Sequence, residues 1–119
     1  MPKQREHINK RTLGSKYEQL AKNYLKQQGY TILCQNFYSR FGEIDMIARD
    51  GAYIVFIEVK YRRTKRFGYP REAVTYYKKR HLLKTAEYFL LTHMGREVAC
   101  RFDVIEILDD ELTHLKAVF

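Results

Sequence analysis

Two hydrophobic rhythms alternate along this chain. Over residues 15–29, "SKYEQLAKNYLKQQG", apolar side chains recur at Tyr17, Leu20, Ala21, Tyr24 and Leu25. That is the i, i+3, i+4, i+7, i+8 spacing of one helix face. Ser15 can cap the helix, with Glu18 three residues on as in a capping box, and Gly29 supplies a stop. Glu18 falls at the edge of the apolar face, beside Ala21 and Leu25, and so lies near the core. The period then shortens. "YTILCQN" reads as a strand, and "GEIDMIAR" as a second. Alternation in the second puts Ile44, Met46 and Ala48 on one face and Glu43, Asp45 and Ile47 on the other. "RDGA" supplies a hairpin turn around Asp50-Gly51. The next strand, "YIVFIEVKYR", is almost continuous in β-branched and aromatic residues, as suits a central strand covered on both faces.

The helical period returns after a basic loop, "TKRFGY". Pro70 can open a second helix, "PREAVTYYKKRHLLKTAEYFLLTHMG", with Ala73, Val74, Tyr77, Leu82, Ala86 and Phe89 on its apolar positions and Gly95 at its end. "VACRFDVIEIL" predicts a fourth strand and "LTHLKAVF" a fifth. The expected order is α-β-β-β-α-β-β: an α/β fold with a central mixed β-sheet flanked by helices. Residues 1–13 are expected to form a basic, flexible N-terminal arm, and residues 14–119 a single domain.

Composition narrows the classes. Hydrophobic residues make up 45% of the 119, which excludes an intrinsically disordered chain. No apolar run approaches the roughly 20 residues of a membrane-spanning helix. The N-terminus lacks the apolar region of a secretory signal, and the basic stretch before the first helix is too short for a transit peptide. Cys34 and Cys100 are far apart, each among apolar neighbours, and read as two buried, reduced thiols. His7, His81, His93 and His114 are scattered and read as surface or helix histidines rather than ligands. These features suggest a cytoplasmic protein. The net charge of +8 is unevenly spread. Residues 1–40 carry net +6, residues 41–60 net −2, residues 61–80 net +7 and residues 81–119 net −3. An acidic cluster between two basic blocks favours a polyanionic partner, although a solvated charged surface has the same composition.

The acidic cluster sits where sheet core is expected. Glu58 and Lys60 are two residues apart and leave the same face of one strand. Asp45 lies on the preceding strand of a tight hairpin, so antiparallel pairing can bring it close to Glu58. Two carboxylates held together in a sheet repel each other and are costly to desolvate. A divalent cation relieves that cost, and hard oxygen ligands suit Mg²⁺ or Mn²⁺. The simpler alternative is a cross-strand salt bridge, with Lys60 paired to Glu58 or Asp45 at an exposed edge.

The residues "GEID…FIEVKYR" resemble the PD-(D/E)xK nuclease superfamily, whose fold is restriction-endonuclease-like. Within it, "GSKYEQLAKNYLKQQGY", "NFYSRFGEIDMIARD", "VFIEVKYRR", "FGYPREAV" and "RFDVIEI" resemble the YraN family of small bacterial proteins, related to archaeal Holliday-junction resolvases. The likeness covers most of the chain. It implies that Asp45 and Glu58 are metal ligands, with the backbone carbonyl of Val59 beside them. It makes Lys60 the catalytic lysine and Glu18 the helix glutamate that completes the site, and Glu43 matches a further acid of resolvase-like members. Ile44 stands where the superfamily motif has proline, which weakens any argument from the bare motif.

The implied activity is phosphodiester hydrolysis by a Mg²⁺- or Mn²⁺-dependent endonuclease acting on nucleic acid, with DNA preferred to RNA and branched or structured DNA expected. Arg62, Arg63, Lys65 and Arg66 follow the active strand and are expected at the mouth of the site. Lys78, Lys79 and Arg80, with Arg40 and the N-terminal arm, are expected to track phosphates. Tyr61, Tyr69 and Tyr76 could stack on bases, or simply pack. Two other readings stand beside this one. The first is a non-catalytic nucleic-acid-binding module of nuclease descent that acts with a repair or replication partner. The second is a basic protein-interaction domain. Junction-cutting enzymes make paired cuts as symmetric dimers, so the resemblance allows a homodimer.

Overall fold

The computed structural model describes residues 16–62, 76–96 and 98–119. A helix, α1, covers 16–27. Five strands follow: β1 (Thr31–Ser39), β2 (Gly42–Asp50), β3 (Tyr53–Arg62), β4 (Cys100–Leu108) and β5 (Glu111–Leu115). A second helix, α2 (Tyr76–Phe89), stands between β3 and β4 and runs into a π-helical turn at Leu90–Met94. The strands form one sheet in the order β1-β2-β3-β4-β5. β1/β2, β2/β3 and β4/β5 pair antiparallel, and β3/β4 pair parallel. The expected mixed sheet and the order α-β-β-β-α-β-β are both present.

The helices occupy opposite faces. On one face Ala21 and Leu25 of α1 pack on Met46, Ala48, Val55, Ile57, Ile105 and Ile107. On the other, Leu82, Ala86 and Phe89 of α2 pack on Ile44, Ile47, Ile54, Phe56 and Phe102. β3 is therefore apolar on both sides, as its continuous hydrophobic run predicts. Gly29, with φ of 91°, ends α1, and the amide of Tyr30 returns to the carbonyl of Leu25 at 2.9 Å. Gly51, with φ of 58°, turns the β2–β3 hairpin after Asp50. Gly95 closes the π-turn, its amide donating to the carbonyl of Leu90 at 2.9 Å.

Several local expectations are corrected. Ile44 does not share a face with Met46. It packs with Ile47 under α2, because the alternation of β2 breaks at Asp45, where pairing with β3 has already ended at Met46↔Ile57. β1 runs beyond Asn36 to Ser39, and a hairpin through Arg40 and Phe41 joins it to β2. The Ser39 hydroxyl shapes that turn, accepting the Phe41 amide at 3.0 Å and bonding Thr85 of α2 at 3.1 Å. Such side-chain closure has no Asn-Gly signature to read. Leu20 and Tyr77 stand exposed, at 42% and 74%, because the buried stripes of their helices pass one position away. β5 stops at Leu115. Beyond it Ala117 adopts φ of 51°, Val118 donates to the carbonyl of Phe102 at 2.8 Å, and Phe119 stacks on Phe102. Both cysteines are free, but Cys34 is half-buried and Cys100 exposed.

His114 is no surface histidine. Its side chain is 4% exposed and bonds the buried Asp103 at 2.7 Å and Tyr24 at 3.0 Å. Asp103 also accepts the amide of Ala117 at 3.0 Å and the Arg101 guanidinium at 3.1 Å. Arg101 in turn pairs with Asp50 at 3.0 Å and bonds the Tyr30 hydroxyl. This network ties α1, β2, β4 and the C-terminal residues together. The arm at 1–13, Ser15, Pro70, Ala73 and Val74 lie outside the described residues.

Candidate functional site

The acids gather where β2 and β3 part. β2 stays paired to β1 down to Gly42, whereas its pairing with β3 ends at Met46↔Ile57. One residue further, the Asp45 carboxylate accepts the backbone N–H of Val59 at 2.9 Å. A side chain thus satisfies an amide that the neighbouring strand leaves unpaired. Glu58 and Lys60 continue the face of Ile54 and Phe56 and point to the α2 side, where Glu58 is 7% exposed.

The electrostatics bind these groups into one cluster. Burial raises the pKa of Glu58, and the negative charge of Asp45 raises it further, while Lys78 and Lys60 pull it down. Burial likewise raises Glu43, helped by Asp45 and Glu18. Glu18, on α1, accepts a bond from the side-chain amide of Asn36 at 3.5 Å. Asn36 itself has φ of 53°, a local left-handed kink in β1 facing the acids. Lys60 lies 3.8 Å from Glu58. Burial is the main cause that lowers its pKa, and the neighbouring Lys78 ammonium adds to the lowering. Four acids and two lysines from α1, β2, β3 and α2 therefore sense one another.

Lys78 occupies an unexpected place. Its ammonium is 2.7 Å from the Glu58 carboxylate. Burial disfavours the Lys78 cation, yet its bonds to Glu58 and Lys60 and the charges of Glu58 and Asp45 together outweigh burial and its pKa is raised. Lys78 is thus the counter-ion of Glu58 in this structure. Arg62 is also engaged, pairing with Glu106 at 3.3 Å with both side chains largely buried. Glu106 lies beside Lys60 in the β3–β4 register. Sequence reasoning missed Glu106, although alternation places it with Phe102 and Val104 on the α2 face.

The remaining basic candidates divide. Arg40, Lys79 and Arg80 are exposed. Arg40 lies over the Phe41 ring at 4.9 Å, Lys79 over Phe119 at 5.0 Å and Arg80 over Tyr76 at 5.8 Å. Arg63, Lys65, Arg66 and Tyr69 lie outside the described residues. Tyr76 is 67% exposed, whereas Tyr61 stacks on Tyr17 with ring centroids 3.8 Å apart.

The donor set fits a hard divalent cation in chemistry. A buried carboxylate, Glu58, has a second acid beside it and already attracts a cation to its oxygen. Among the described residues no three acidic, histidine or cysteine side chains are gathered closely enough to hold a metal ion. Among the described residues no helix is long and apolar enough to cross a membrane.

Comparison with known proteins places most of the chain in one family. The model of the uncharacterised protein family UPF0102 matches residues 17–107. A UPF0102 protein of Lachnoclostridium phytofermentans is 44% identical over 113 residues, covering 94% of this chain and 96% of that protein. One from Caldicellulosiruptor saccharolyticus is 49% identical over 100 residues, covering 84% and 85%. One from Vibrio parahaemolyticus is 47% identical over 103 residues, covering 86% and 85%.

Proposed function

The chain belongs to the UPF0102 family, the YraN-like group, and we propose that it is a metal-dependent endonuclease of the PD-(D/E)xK type. Its substrate in this reading is branched or otherwise structured DNA. The observation that carries the reading is the meeting of Asp45 and Glu58 at the parting of β2 and β3, with Lys60 beside them. Folding alone gives little reason to place a buried carboxylate next to a second one.

Asp45 and Glu58 would hold Mg²⁺ or Mn²⁺, with the Val59 carbonyl next to them, and Glu18 and Glu43 would add negative charge to the pocket. Such an ion supplies charge neutralisation at the phosphate and acidifies a water molecule. Lys60, 3.8 Å from Glu58, would orient that water or offset charge developing on the phosphate. In hydrolysis the water oxygen would bond to phosphorus and give up a proton to solvent, while the bond to the leaving sugar oxygen breaks and that oxygen takes up a proton from solvent. Exposed Arg40, Lys79 and Arg80 would hold backbone phosphates outside the reacting centre. Paired cuts at a junction would call for two copies of the chain.

A second reading is favoured by the Lys78–Glu58 pair, which fills the carboxylate with an internal cation. In that reading the protein is a nucleic-acid-binding module of nuclease descent, acting with a repair or replication partner. Labelled single-strand, duplex, flap and four-way-junction DNA, incubated with Mg²⁺ or Mn²⁺, separates the two. Cleavage lost in both Asp45→Ala and Lys60→Ala supports the nuclease. Binding without cleavage, unchanged in both variants, supports the module.

A further inference from the structure

Glu58 is served by two lysines, and the closer one comes from a different element. Lys60, on the same strand, stands 3.8 Å away, while Lys78 of α2 stands at 2.7 Å. Lys78 reaches the sheet because of its helical phase. α2 buries Leu82, Thr85, Ala86 and Phe89, and Lys78 precedes Leu82 by one turn on that same stripe. Lys79 and Arg80, one and two positions on, are exposed. A buried carboxylate stripped of its partner is strongly unfavourable. The metal-free pocket therefore needs a cation, and Lys78 supplies one. A divalent ion binding Glu58 would compete for the oxygen that Lys78 holds, and once bound it would repel the ammonium.

We propose that Lys78 is a displaceable counter-ion of the acidic pocket, neutralising Glu58 in the metal-free protein and yielding it to a divalent cation, which releases the ammonium to a substrate phosphate. The proposal rests on the metal-binding reading of Asp45 and Glu58. A phosphodiester is the anion that a released, flexible lysine beside the site would meet. Metal and nucleic acid then bind with positive coupling, since each favours the position of Lys78 that suits the other.

Two measurements on the DNA-free protein test this. In the first, Mn²⁺ is titrated into wild type, Lys78→Gln and Lys84→Gln, with free Mn²⁺ read by electron paramagnetic resonance. Lys84→Gln removes one charge from the same helix and serves as the control for general electrostatics. Lys78→Gln is expected to bind Mn²⁺ about tenfold more tightly than wild type, and Lys84→Gln to stay within about twofold. The second uses wild type alone, so it does not depend on how the variant folds. An amine-reactive ester is applied with and without Mg²⁺, and acylation is read by mass spectrometry. Acylation of Lys78 should rise severalfold with Mg²⁺ while that of Lys79 stays constant. Equal Mn²⁺ affinity in wild type and a folded Lys78→Gln, or acylation of Lys78 indifferent to Mg²⁺, would overturn the counter-ion proposal. Where Asp45→Asn still abolishes Mn²⁺ binding, the metal site survives that result. Mn²⁺ bound by neither wild type nor Lys78→Gln would overturn both.

Discussion

The ammonium of Lys78 on α2 lies 2.7 Å from the carboxylate of Glu58 on β3, closer than Lys60, which shares a strand with Glu58. The lysine of the E-x-K motif is therefore the weaker electrostatic partner of its own glutamate. Lys60 is left beside a second cation, and burial together with that cation lowers its pKa.

Removing Lys60 should consequently cost activity far more than stability. Lys60→Ala is expected to lower the cleavage rate by about 100-fold or more while changing DNA affinity by less than about threefold. Single-turnover kinetics beside equilibrium binding checks the split. Parallel losses in rate and affinity would count against a catalytic role.

Asp45 has two jobs that substitution can separate. Asp45→Asn keeps an oxygen to accept the Val59 amide but removes the charge that raises the Glu58 pKa. Mn²⁺ binding and cleavage should vanish with the melting temperature maintained. Asp45→Ala also orphans the amide, which should cost a further ~1–3 kcal/mol in urea denaturation.

Arg62 was expected at the DNA-facing mouth, but it pairs with the buried Glu106. Arg62→Ala should destabilise the fold by about 3–5 kcal/mol by leaving a buried carboxylate without this partner. Arg80→Ala, at an exposed position, should spare stability and reduce the salt dependence of DNA binding by about one phosphate contact. Chemical denaturation and a salt titration of affinity distinguish the two residues.

Acid stability should report on Asp103. Burial pushes its pKa up, but hydrogen bonds from His114, the Ala117 amide and Arg101 outweigh burial and hold it below the usual value. Asp50, Tyr24 and Tyr30 surround the same network. A depressed folded pKa means that the ionised carboxylate stabilises the fold above its unfolded value, near pH 4, and that this contribution fades as pH falls toward the folded pKa. Wild type should thus keep its stability advantage over Asp103→Asn from neutrality down to about pH 4 and lose it progressively at more acid pH. Urea midpoints across that range give the measurement, and an advantage that does not change with pH would contradict the assignment.

α2 positions Lys78 through its core contacts. Phe89, 3% exposed, meets Phe37 edge-on at 5.2 Å and Phe56 at 6.0 Å. Phe89→Ala should cost about 3–5 kcal/mol.

Periodicity and turn chemistry act within a few residues, and what they encode was legible in the chain. The stop at Gly29, the hairpin at Gly51, the end at Gly95 and the doubly covered β3 follow from local backbone and burial preferences. So does the shared face of Glu58 and Lys60, because strand side chains alternate. Which charges meet across the sheet was not legible. The parallel crossover from β3 to β4 carries α2 back over the site and brings Lys78 to Glu58, while β3–β4 register brings Glu106 to Arg62. The break in β2 at Asp45, which sends Ile44 to the opposite face from Met46, arises where two strands part. His114 and Asp103 meet because β5 folds back on β4. Local sequence set the elements and the acids they carry. The long-range pairing of strands and helices chose each charge's partner, since a charge in a partly buried site takes whichever opposite charge the fold delivers.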